Sequence, residues 1–298
     1  MRKRVLVAVV GVPLLILVLS FGPSWATALV LMILCGIGAH ELMHAAAGKQ
    51  GKRLIPLTVV LAVLVPADLY WTMAPLTQSA EGFAGSMSVL DLYQMVAQTS
   101  RLDFLPVFSL VFVFWLFLYA ILHYGKPTAI PFSSLTAAIF SGLVFPLMLS
   151  CLLRLRLLPD GEILVWVPLA ISFGSDTCAY FCGMAFGKHK MAPLVSPHKT
   201  VEGGIGGLAG GVLGLLLLKL IVSLAGGAFP VAVWQLVVLG ILASAVSEIG
   251  DLSFSVIKRE YGVKDYGKLL PGHGGVLDRF DSVTFVAPLA YLLLFFFL

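Results

Sequence analysis

Long apolar runs constrain this chain more than any other feature. They fall at about residues 5–21, 24–44, 54–74, 104–123, 135–153, 163–187, 203–225, 232–257 and 277–298. A helix that crosses a bilayer needs about 20 predominantly apolar residues. Inside hydrocarbon its backbone groups must bond to one another, because no water is there to satisfy them. The expectation is an all-α, polytopic integral membrane protein with about nine transmembrane helices. Composition agrees where it bears on the point. Hydrophobic residues make up 59% of the chain, charged residues 11%, and the mean hydropathy is +1.01, far from the values of a soluble domain.

The first run follows Met1-Arg2-Lys3-Arg4 and resembles a secretory signal. Phe21-Gly22-Pro23-Ser24 offers no small-residue cleavage site and leads straight into the next run, so the first run reads as a membrane helix. Basic residues set the orientation. With the N-terminus in the cytoplasm, segments 1–4, 45–53, 123–134, 188–203 and 258–279 lie inside and hold 15 of the 19 Lys and Arg. The outer segment 75–103 is net acidic. Four cysteines (Cys35, Cys151, Cys178, Cys182) sit in apolar runs without zinc-ribbon spacing. That placement favours small buried residues over a disulfide framework.

Charge beside a membrane core is costly, so a dense cluster of it marks function. Segment 250–282 gathers ten charged side chains: Asp251, Lys258, Arg259, Glu260, Lys264, Asp265, Lys268, Asp278, Arg279 and Asp281. They surround the turn Gly272-His273-Gly274-Gly275. Asp251 ends one helix, while Asp278 and Asp281, three apart, share a face at the start of the next. These three acids are the candidate magnesium ligands, since magnesium is usually held by a few carboxylates that leave room for substrate phosphates. Lys258, Arg259, Lys264, Lys268 and Arg279 supply positive charge for phosphate, and His273 sits in a turn able to approach a ligand closely. Acids for a metal beside bases for phosphate suit phosphoryl or nucleotidyl transfer, where positioning and charge neutralisation carry the catalysis.

A second polar centre, 188–203, precedes a glycine-rich helix at 203–225. Gly203, Gly207 and Gly211 form one stripe and Gly206, Gly210 and Gly214 another, a spacing that lets helix backbones approach closely. Ser196-Pro197 reads as the cap and first residue of that helix. Its positive end beside Lys199 would then suit a phosphate.

Other motifs carry less. His40-Glu41-x-x-His44 matches the zinc metalloprotease pattern. A third ligand and a later aspartate motif are missing, and two histidines at a helix end reach water without any metal. Gly262 to Lys268 fits a P-loop by letter, but Leu269 stands where magnesium needs Ser or Thr. Gly204-x-Gly206 opens a membrane helix rather than a strand–helix turn, so it is no dinucleotide fingerprint. A transporter would carry its charges at helix breaks near the bilayer midplane, whereas these fall at helix ends.

One pattern is more specific. Ser255-x-x-Lys258-Arg259-x4-Lys264-Asp265-x-Gly267-x-x-Leu270-Pro271-x-His273-Gly274-Gly275-x-Leu277-Asp278-Arg279-x-Asp281 spans 27 residues. It resembles the signature of the phosphatidate cytidylyltransferases, or CDP-diacylglycerol synthases. A second block agrees: Asp176-Thr-Cys-Ala179-Tyr180-Phe-Cys-Gly183, Phe186-Gly187-Lys188, and Ser196-Pro197-x-Lys199-Thr200-x-Glu202-Gly203. The resemblance covers about 172–298, with Glu41 at a position where the family often carries a Glu. His198, Tyr266 and Phe254 depart from the family pattern.

The resemblance implies transfer of CMP from CTP to phosphatidic acid at the cytoplasmic face of a bacterial-type plasma membrane, with magnesium and room for a second cation. It implies catalytic roles for Asp251, Lys258, Arg259, Lys264, Asp265, His273, Asp278, Arg279 and Asp281. Asp176, Lys188, Ser196, Lys199, Thr200, Lys268, Gly274 and Gly275 would bind CTP or its phosphates. Residues 1–171 then provide scaffold and lipid access, and 172–298 the catalytic region with loops 188–203 and 258–279. The partners are CTP, phosphatidic acid and the bilayer, with a homodimer left open and no nucleic acid. A CTP-dependent lipid or polyprenol kinase would use the same charges and is the alternative, ahead of the protease.

Overall fold

The computed structural model describes residues 11, 13–81, 104–269 and 274–298. Residues 5–10 and 12 of the first expected helix, 5–21, and the outer segment from 82 to 103 lie outside the described residues. Among those described, eight helices are long and apolar enough to cross a membrane. The chain is an all-α polytopic membrane protein. Its contacts group into two units, residues 1–153 with 261–279 and residues 154–260 with 280–298. This grouping differs in kind from the division at residue 171, which marks where the sequence resemblance begins.

In the first unit, helices α1 (Ser24–Ala46), α2 (Ile55–Glu81) and α3 (Leu105–His123) pack with the first part of α4 (Phe132–Arg156). Gly36 of α1 leaves room for Val63 of α2. Met43, Leu54, Leu61, Phe112, Leu116 and Leu135 form the core beneath. Helix α2 runs through Pro66 and Pro75 to Glu81, beyond the expected end at 74. Membrane helices tolerate proline when local groups re-satisfy the backbone. Between the two prolines the Thr72 hydroxyl also donates to the carbonyls of Asp68 and Leu69 at 3.0 and 3.1 Å. Helix α4 widens to a π-turn at Phe140–Val144, immediately before Pro146, and breaks at Ser150. A proline beside a π-turn is a recognised cause of such a bend.

The second unit contains α5 (Trp166–Phe186), a hairpin of β1 (Lys190–Ala192) and β2 (Ser196–Thr200), α6 (Val201–Leu224), α7 (Val233–Glu260) and most of α8 (Leu277–Phe297). The glycine stripes pack as expected. A side chain at Gly210 would overlap the Gly174 carbonyl and Cys178, and one at Gly206 would overlap Cys182. Cys178 and Cys182 are therefore the small faces of α5 on which α6 rests, and both are free thiols. Gly207 and Gly211 give the same clearance to Ser175 and Ser244. Leu215, Leu236, Leu239 and Val286 are fully buried.

Three expectations are corrected. Segment 188–203 is not an open loop, because β1 and β2 pair antiparallel with Lys190 opposite Thr200. Ser196 and Pro197 lie in β2, and the cap of α6 is Thr200, whose hydroxyl accepts the Gly203 N–H at 3.1 Å. Helix α7 extends to Glu260, so Lys258 and Arg259 form its last turn rather than the loop beyond it, and Asp251 stands nine residues before the end of the helix rather than at it. Basic residues there face the negative end of the helix, which favours that extension.

Candidate active site

In the second unit, β2 delivers Lys199 to α7. The Lys199 Nζ donates to Glu248 Oε2 at 2.5 Å and pairs with Asp251 Oδ2 at 2.8 Å. Glu248 and Asp251 are three apart, so they share a face of α7 and close on one ammonium. Burial alone would pull the Lys199 pKa down, but Asp251 and Glu248 more than offset this and hold it above the usual lysine value. Asp251 also accepts the Ser255 hydroxyl at 3.3 Å.

Beside this triad opens a cavity of about 420 Å³, within the range of small-molecule sites. Asp176, Tyr180, His198, Lys199, Thr200 and Asp251 are among its walls. Asp281 lies within electrostatic reach of Asp251, Asp176 and Lys258, and its Oδ1 accepts the Ser282 N–H at 2.8 Å.

The hairpin that carries Lys199 is tied down at both ends. Glu202, in the first turn of α6, accepts the N–H groups of Lys188 and His189 at 3.1 and 3.2 Å and pairs with the His189 ring at 2.6 Å. At the other end, the Arg259 Nε donates to the Val195 carbonyl at 3.1 Å. Lys188 thus meets Glu202 through its backbone, and Arg259 fixes the hairpin tip. Ser196 serves the β-pairing, opposite Ala192.

In the first unit, Asp278 sits in the opening turn of α8 and accepts the Tyr266 and Gly275 N–H groups on one oxygen, at 2.9 and 3.0 Å. Gly274 adopts φ +84° at this turn, a conformation that favours glycine. Asp265 stands close by, its Oδ1 at 3.5 Å from where a Gly274 side chain would begin. Lys264 and Lys268 are exposed on 261–269. The Arg279 N–H bonds the Val276 carbonyl at 3.0 Å. His273 lies outside the described residues.

Two acids matter here to which sequence alone assigns no role in the site. Glu248 is a lone acid inside a long apolar run, and its spacing of three from Asp251 is the one signal that could have singled it out. Glu41 is 6% exposed and accepts the N–H groups of Val276 and Leu277 at 3.1 and 2.9 Å. Its neighbours His40 and His44 are exposed and stack on each other at 6.1 Å. The glutamate that a metalloprotease would aim at water is therefore turned inward and bonded. Among the described residues, no three His, Cys, Asp or Glu side chains are grouped to hold a metal ion.

Fold and site together define a polytopic α-helical membrane protein with a lysine–carboxylate cluster beside a cavity in its second unit. Over residues 2–297 the sequence matches the cytidylyltransferase family, and the chain belongs to that family. Among curated relatives, the phosphatidate cytidylyltransferase of Staphylococcus saprophyticus is 48% identical over 120 residues, covering 40% of this chain and 44% of that protein. That of Brucella suis is 47% identical over 134 residues, covering 45% and 47%. That of Staphylococcus epidermidis is 42% identical over 140 residues, covering 47% and 49%. The chain thus spans about half the length of the curated relatives it matches.

Proposed function

We propose that the chain transfers a cytidylyl group from CTP to phosphatidic acid, giving CDP-diacylglycerol and pyrophosphate. An oxygen of the lipid phosphate attacks the α-phosphorus of CTP in line. The bond from that phosphorus to the oxygen bridging to the β-phosphorus breaks, and pyrophosphate leaves with the oxygen. A phosphomonoester is largely ionised near neutral pH, so the attack needs no protein base. The observation that carries this reading is Lys199, held as a cation by Glu248 and Asp251 on the wall of the cavity. It is a point charge ready to meet phosphate oxygens. Family membership and the names of the relatives support it.

Magnesium fits the donor set. Asp251 and Asp281 are hard oxygen donors that repel each other, with Asp176 in range of Asp281. A divalent cation relieves such repulsion, and magnesium needs only one or two protein carboxylates when substrate phosphates complete its shell. Asp251 and Asp281 would hold it, with Asp278, three residues before Asp281 on the same helix face, as the third acid, and Asp176 leaves capacity for a second cation. When bound, the ion neutralises charge developing on the phosphate oxygens. The distribution of basic residues argues for a cytoplasmic site, where CTP is available, with the lipid arriving sideways from the bilayer.

Purified protein given vesicles containing phosphatidic acid, CTP and magnesium should release pyrophosphate only when all three are present. EDTA should stop the release and added magnesium restore it. No pyrophosphate from the complete mixture would overturn the reading.

A further inference from the structure

The His40-Glu41-x-x-His44 motif is unused by the proposed chemistry, yet its glutamate is among the most constrained acids in the first unit. Glu41 projects from α1, more than two hundred residues away in sequence from its partners, and takes one N–H on each carboxylate oxygen: Val276 on Oε1 and Leu277 on Oε2. Those donors belong to the entry of α8, where backbone N–H groups have no partner within the helix and where negative charge is favoured. Two glycines complete the seat. A side chain at Gly267 would overlap Glu41 Oε1, and one at Gly275 would begin 2.5 Å from Oε2. The carboxylate thus occupies space that only glycine at both positions leaves open. Asp278 grips the same turn from the other side through the Gly275 and Tyr266 amides.

We propose that Glu41 is the positioning residue of the 275–278 turn: its carboxylate fixes the amides of Val276 and Leu277 and thereby sets where the Asp278 carboxylate stands for the reaction. The part concerning the reaction rests on the function proposed above, while the hold on the turn does not. Glutamate is required because both oxygens accept. Glutamine keeps one acceptor and presents its NH2 to the other amide, and alanine leaves two buried N–H groups unsatisfied.

Hydrogen exchange on purified full-length wild type, Glu41→Gln and Glu41→Ala tests the proposal. In Glu41→Ala the amides of 276 and 277 should exchange at least about tenfold faster, as expected when a charge-assisted bond is lost. Glu41→Gln should fall between, and exchange in the rest of α1 and in α2 should be unchanged. In the same preparations, kcat should fall about 10- to 100-fold, as for residues that orient an active group. KM for CTP should move less than about threefold, because only uniform binding would shift it with kcat unchanged. Unchanged exchange at 276–277 in Glu41→Ala overturns the proposal. So does faster exchange throughout α1 and α2, which would make Glu41 a general packing residue. Altered exchange with unchanged kcat denies Asp278 positioning. A wild type that makes no CDP-lipid would refute the proposed function instead, with the exchange result still deciding whether Glu41 holds the turn.

Discussion

Asp251→Asn should lower turnover by about 10²- to 10³-fold, the scale seen when one preorganised electrostatic contact to a transition state is removed. Asparagine keeps the shape of the side chain and can still accept the Ser255 hydroxyl, now bonded at 3.3 Å. What it loses is charge: the partner of Lys199 at 2.8 Å, and the carboxylate that faces Asp281. Two consequences coincide in this substitution, a looser Lys199 and a weaker seat for magnesium. The melting temperature should stay within a few degrees of wild type, since Glu248 still holds Lys199. Steady-state rates together with a melting curve check this, and near-normal turnover at ordinary magnesium would remove Asp251 from the site.

Lys199→Ala should affect both stability and catalysis. It removes the ammonium between two carboxylates whose side chains are only 11% and 29% exposed. Breaking a fully buried ion pair on one side costs about 3–5 kcal/mol, and the partial exposure here reduces that to about 2–3 kcal/mol. The sign with pH follows from the raised pKa of Lys199. The stabilisation is fully present below the ordinary lysine value of about 10.4 and is lost as pH rises through the higher folded value. The stability gap between wild type and Lys199→Ala should therefore be flat from pH 7 to 9 and shrink only in strong alkali. Lys199→Arg should not restore turnover, because a planar fork replaces a point charge. Unfolding at pH 7, 9 and 11 measures the gap. A gap that already narrows between pH 7 and 9 would contradict the ion-pair assignment.

The membrane helices were legible because hydrocarbon demands one thing of each run, about 20 apolar residues in hydrogen-bonded helix. The glycine stripes of α6 were legible for a related reason, as close backbone approach has a fixed spacing. The β1–β2 hairpin was not. Its strands have three and five residues, one contains Pro197, and their pairing depends on Glu202 and Arg259 anchoring them from other elements. The cap of α6 was misread for the same reason: Ser196-Pro197 is a good local signal, but the hairpin carries the chain on to Thr200 before the helix begins. Glu41 was hidden by a stronger coincidence, since its motif reads as a zinc site and its true partners lie far along the chain. The density of charge at 250–282 is legible in the sequence. Which charges bond to which, and that Glu248 joins Lys199, depends on tertiary contacts that spacing alone does not specify.

The central claim is that CTP gives its cytidylyl group, not its terminal phosphate, to the lipid. The most direct measurement supplies purified protein, phosphatidic acid vesicles and magnesium with CTP labelled at either the α- or the γ-phosphate. The account predicts that α-label enters the lipid fraction, one per lipid converted, while γ-label leaves as pyrophosphate. Gamma label in the lipid with α-label left in solution would contradict it and identify a CTP-dependent lipid kinase.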